Sequence, residues 1–67
     1  MPRYIYGLKT ESGSNLYKGY KFDNLGMAVS MAKEYAIHNK KIVVIERNFR
    51  EYMVVGLNGT EDRIGKK

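Results

Sequence analysis

The chain contains no cysteine. Disulfides and thiolate metal sites are therefore excluded, and the fold must rest on its hydrophobic core, alone or enlarged by self-association. Histidine occurs once, at His38, so there is no second imidazole for a metal cluster and no Cys–His pair for nucleophilic catalysis. Long apolar runs are also lacking. The longest purely aliphatic stretch, Ile42–Ile45, is far too short to cross a membrane. Residues 1–9 (MPRYIYGLK) hold no apolar run of the kind a signal peptide needs, so a cytoplasmic location is expected. No glycine-rich phosphate loop is present: Gly7 and Gly19 fall inside expected strands, and Gly56 and Gly59 lie near a turn. Without a secretion signal, the Asn58-Gly59-Thr60 sequon is a chance match. No catalytic residues, cofactor or metal are expected.

What remains is a short, basic, tyrosine-rich chain. Its 67 residues allow one domain with a small core, and 43% hydrophobic residues suffice for a globule. The net charge is +5 and the pI about 9.6. Residues 1–59 carry nine Lys/Arg against five Asp/Glu, an excess of four positive charges. The charge thus belongs to the expected domain, residues 1–59, and not to the polar tail, residues 60–67 (TEDRIGKK), which is expected to be flexible. A basic balance favours polyanion partners such as nucleic acid, or an acidic protein surface.

The hydrophobic period changes along the chain. Residues 3–9 and 15–22 read as strands, 24–39 take helical spacing, and 41–47 and 51–57 return to strands. The expected fold is α+β: a two-layer ββαββ unit, one helix on one face of a four-stranded, mainly antiparallel sheet. Thr10–Ser14 (TESGS) is a turn joining the first hairpin, and residues 48–50 join the second. Asp23 stands directly before the helical pattern and is read as its N-cap. Leu25, Ala28, Val29, Ala32 and Ala36 form the buried stripe, flanked by Met31 and Tyr35. His38 sits near the helix C-terminus, where its charge complements the dipole.

The strands carry the functional expectation. Residues 41–47 and 51–57 are apolar on both parities, yet one helix covers only one face. An open apolar face is therefore expected, and such a patch marks an interface. Ile64 of the tail or a second copy stacked face to face in a homodimer would be its simplest cover. Four of the six tyrosines, Tyr4, Tyr6, Tyr17 and Tyr20, lie in the first hairpin, interleaved with Arg3, Lys9, Lys18 and Lys21. Rings stack on bases while Lys and Arg track phosphates, which is what single-stranded nucleic acid requires. Tyrosine also favours strands, and at least two of the four rings are expected in the core. Lys40 and Lys41 stand at one end of the third strand and Arg47 and Arg50 at the other, where solvated charge is the simpler reading. Glu46 and Glu51 face one another across the second hairpin, with Arg47 and Arg50 as the expected ion-pair partners.

The expectation is a small non-catalytic binding protein. It would act on nucleic acid or nucleic-acid-processing machinery through the open sheet face and first hairpin, using Arg3, Tyr4, Tyr6, Lys9, Tyr17, Lys18, Tyr20, Lys21, Arg47 and Arg50. The alternative is an adaptor or inhibitor that binds and redirects one host protein. In size and style, though in no specific motif, the chain is similar to the small accessory proteins of phages and mobile elements, which typically redirect a host polymerase or nuclease. No membrane partner is expected.

Overall fold

The computed structural model describes residues 4–63, with Arg63 described by its backbone only. Strands β1 (Tyr6–Thr10), β2 (Lys21–Phe22), β3 (Val43–Arg47), β4 (Arg50–Val55) and β5 (Glu61–Arg63) form one sheet, and helix α1 (Leu25–Asn39) lies between β2 and β3 in the chain. The sheet order is β2-β1-β3-β4-β5, and every neighbouring pair is antiparallel. The fold is thus α+β as expected, with five strands where four were read. The extra strand, Glu61–Arg63, comes from the stretch assigned to the tail. Asn58-Gly59 supplies the reason: Gly59 takes φ +85°, its N–H reaches the Gly56 carbonyl, and the chain turns back onto β4. Ile64 and Arg3 lie outside the described residues.

Helix α1 follows the spacing of its small residues. Ala28, Ala32 and Ala36 are fully buried, and with no side chain beyond Cβ they let the helix axis approach the sheet closely. Leu25, Val29, Met31 and Tyr35 pack around this stripe. Asn24, not Asp23, is the cap: its Oδ1 accepts from the Met27 N–H at 3.1 Å. The two side chains are equally suited to the role, and a one-residue shift in the helix start decided between them. At the other end Lys40 takes a left-handed conformation, φ +53°, and the Lys40 and Lys41 N–H groups both go to the Ala36 carbonyl.

Beneath the helix, the core side of the sheet runs in three cross-strand rows. The middle row joins Leu8, Ile45 and Met53, and the next joins Thr10, Val43 and Val55. Ile45, Val43 and Val55 are the largest fully buried side chains, each contributing about 1.5–3 kcal/mol by leaving water. The third row, Phe22–Tyr6–Arg47–Arg50, ends the sheet at the side where α1 begins. Lys33 closes the opposite flank by an ion pair with Glu61 at 2.6 Å.

Two local departures matter for function. The segment read as a strand over 15–22 is mostly a coil. Tyr17, Lys18 and Gly19 all have positive φ, and a left-handed turn is closed by the Gly19 N–H to the Leu16 carbonyl and the Tyr20 N–H to the Tyr17 carbonyl. Only Lys21 and Phe22 remain to pair with β1. In β4, the register shifts between the pairs Ile45–Met53 and Glu46–Glu51, so Tyr52 is the extra residue of a bulge. The bulge re-aims Tyr52 toward the core side, where it packs beside Tyr6.

The open face is not the apolar surface that residue parity implied. Its two rows are Lys21–Gly7–Glu46–Glu51 and Lys9–Val44–Val54–Asp62. Lys9 Nζ sits 3.1 Å from Glu46 and 3.3 Å from Glu51, at the centre of that face. The ammonium bridges two carboxylates that would otherwise repel one another across β3 and β4. Lys9, not Arg47 or Arg50, is therefore their partner. The apolar reason for stacking two copies face to face shrinks accordingly to the half-buried Val54, Ile5 and Ile42, since Val44 is already buried.

Candidate functional site

The expected site residues separate into three groups. Lys9 is taken by Glu46 and Glu51, which hold its pKa above the usual lysine value by hydrogen bonds to the ammonium. It is a structural cation and is removed from the site. Tyr6 is buried in the core row, and of the four hairpin tyrosines it is the one that the core absorbs. The expected second buried ring is missing because the coil at 15–20 turns Tyr20 into solvent and lays Tyr17 along the helix with 38% of its surface exposed.

Tyr17 lies along α1. Its ring makes edge-on contacts with Phe22 and Tyr35, with centroids 6.5 Å and 6.2 Å away, and its hydroxyl donates to the Met31 carbonyl at 3.5 Å. Partial burial, with Glu34 and Tyr35 nearby, raises its pKa. Lys18 stands beside it at the crest of the left-handed turn and is exposed.

The remaining residues converge at the end of the sheet. The hairpin between β3 and β4 turns in two residues, Asn48 and Phe49, with φ +52° and +70°, the paired left-handed geometry of a type I′ turn. Asn48 fastens the N-terminal segment to this tip: its N–H donates to the Ile5 carbonyl at 2.8 Å, and its Oδ1 accepts from the Ile5 N–H at 3.0 Å. That clasp brings Tyr4 beside β3. The Arg47 guanidinium then lies 4.5 Å from the Tyr4 ring centroid and 4.4 Å from that of Tyr52, a cation held between two rings. Arg50 pairs with Arg47 in the strand register and is exposed.

The β2 side completes the cluster. Lys21 lies across Gly7, where a Cβ would come within 2.7 Å of Nζ, and reaches the Phe49 ring at 5.2 Å. Tyr20 stands edge-on against Phe22 at 4.8 Å. The outermost rings are Tyr4 at 43%, Tyr20 at 61% and Phe49 at 68% exposure. Among the described residues, Lys21, Arg47 and Arg50 make no ion pair. One end of the sheet therefore presents three open rings and three cations without carboxylate partners.

Two members of this cluster were absent from the sequence reading. Phe49 carried a signal: a two-residue loop leaves its side chain no core to enter, so an aromatic there must be exposed. Tyr52 carried none, since its position depends on the bulge.

Comparison with protein-family models, with curated proteins and with solved structures returns no match. Among the described residues there is no group of three or more His, Cys, Asp or Glu placed to hold a metal ion, and no helix is long and apolar enough to cross a membrane.

Proposed function

We propose that this chain is a non-catalytic binding protein that engages single-stranded nucleic acid through the sheet end formed by Tyr4, Tyr20, Lys21, Arg47, Phe49 and Arg50. The observation that carries the reading is the alternation of exposed rings with cations that have no carboxylate partner among the described residues. Each exposed ring offers a face for a base, and each cation stands within a residue or two of a ring to meet the adjoining phosphate. The binding surface is the sheet end in place of the open face, because Glu46 and Glu51 would oppose phosphates laid across that face. The same carboxylates disfavour a duplex, whose second phosphate row would have to cross them.

A second reading is an adaptor or inhibitor that grips a host protein with the same end. The favouring observation is that tyrosine and arginine, the residues stacked here, are the types enriched at protein–protein hot spots.

Fluorescence anisotropy of labelled single-stranded DNA, single-stranded RNA and duplex, titrated with the chain across a salt series, separates the two. Three phosphate contacts predict a log–log salt slope of about −2 on a single strand. Phe49→Ala and Tyr20→Ala each weaken single-strand binding, and because both rings are exposed the melting temperature moves little. Equal affinity for all three probes, or affinity insensitive to both substitutions, rejects the reading.

A further inference from the structure

A groove opens at the opposite end of the sheet from the stacked arginine. It runs between the Thr10–Ser14 turn and the junction where α1 passes into β3. Its lining includes the buried Leu16 and half-buried Ile42, taken as its floor, the half-buried Tyr35, and the exposed Leu57, Lys40 and Lys41, the two lysines taken as its rim. Leu57 is 50% exposed, so an aliphatic side chain borders the groove with half its surface in water. Ile37, also exposed, lies against the turn at Gly59.

The charge on this groove is one-sided. Lys40 and Lys41 are exposed and make no ion pair among the described residues, while Glu11 is the one carboxylate of the lining. Lys40 is moreover held at φ +53°, where glycine would be cheaper. The floor is aliphatic, and the Tyr35 ring is half-buried and already engaged edge-on by Tyr17, so the groove lacks the open ring faces that bases would need. Side chains of the Leu or Ile kind fit the floor, and carboxylates fit the rim.

We infer that this groove is a docking site for an acidic peptide segment of a partner protein, one with an aliphatic anchor flanked by Asp or Glu. The anchor covers Ile42 and Leu57, and the flanking carboxylates meet Lys40 and Lys41. Five residue steps along the strand, from Ile42 of the groove to Arg47, separate the two ends by about 16 Å. Both ends can be occupied at once, and the inference does not depend on what the other end binds.

The test is a backbone-amide NMR titration of the full chain with a short synthetic peptide of glutamates around two leucines. A control peptide carries lysine in place of every glutamate. Saturable shifts confined to residues 10–16, 40–42 and 57 with the acidic peptide, and none with the basic one, are the expected result. The double variant Lys40→Gln, Lys41→Gln and the single variant Leu57→Ser should each weaken that binding about tenfold. All three positions are exposed, so both variants keep the wild-type spectrum elsewhere. Absence of shifts, or equal shifts with the basic peptide, overturns the inference. So do two further outcomes: the same shifts with ATP but not with the peptide assign the groove to a small anion, and shifts on raising protein concentration alone assign it to a second copy.

Discussion

Phe49 combines two costs that a residue rarely bears together: an exposed aromatic ring and a left-handed backbone. Asn48 beside it tolerates that conformation, but a bulky side chain pays roughly 1–2 kcal/mol for it. Phe49→Gly should therefore stabilise the chain by about 1 kcal/mol, since the glycine relieves the strain and the lost ring covers little core. Urea titration checks this. If the same variant loses single-strand affinity, stability and binding are opposed at one position. That opposition is the mark of a ring retained for contact and not for folding. The legibility of the site at this scale was uneven. Arg47 and Arg50 were named as a separate basic cluster at the hairpin tip, for which solvated charge was the simpler reading, whereas Tyr4, Tyr20 and Lys21 were named from the interleaving of rings with cations. Lys9 was named on the same ground and is wrongly placed, because its strand parity turns it toward two carboxylates that belong to a different hairpin.

Helix α1 and the second hairpin were readable because their signals are local. The alanine stripe has helical spacing, and residues 41–47 and 51–57 are dense in β-branched and aliphatic side chains. The cap was missed by one residue, and the correction carries its own prediction. Asn24→Ala should cost about 1 kcal/mol in thermal or urea unfolding, while Asp23→Ala leaves stability nearly unchanged, because only Asn24 satisfies a first-turn N–H. The coil at 15–20 was misread as a strand because Leu16, Tyr20 and Phe22 share a parity that a strand would also produce. What overrides the pattern is a left-handed turn over Tyr17, Lys18 and Gly19, which only Gly19 announces. Tyr17 yields a prediction of its own. Its folded pKa lies above the ordinary value of 10.0, so the stability it contributes is present below that pH and is lost as the hydroxyl ionises above it. Tyr17→Phe keeps the ring contacts and should flatten the fall in melting temperature above about pH 10.

The whole molecule has a charged middle and two differently equipped ends. Lys9 is raised from 10.5 and adds to the same alkaline trend: its contribution is complete below that pH and disappears as the ammonium loses its proton. Melting temperature should accordingly be level through neutral pH and drop above about 10. A drop that persists unchanged in Lys9→Met would show that the ammonium between Glu46 and Glu51 is not its source. The open apolar face expected from parity did not survive because parity reports which side a residue points to and not what its cross-strand neighbours are. Val44 and Val54 do point away from the helix, but Lys9, Glu46, Glu51 and Asp62 point with them. The fifth strand escaped notice for a related reason: Glu61–Arg63 has no apolar side chain, and it joins the sheet through the turn at Gly59 and the Lys33 ion pair.

The placement of β1 bears on how the chain comes to be folded. It is the second strand of the sheet in space but the first in sequence, bordered by β2 on one side and β3 on the other. Strands β3, β4 and β5 are joined by short turns and can assemble among themselves, whereas β1 meets β3 only after the whole of α1 has intervened. Tyr6 and Leu8 are added to the growing chain well before any residue of β3. Completion of the sheet therefore waits for the C-terminal half, and until β3 joins, the core side chains of β1 lack the strand that flanks them.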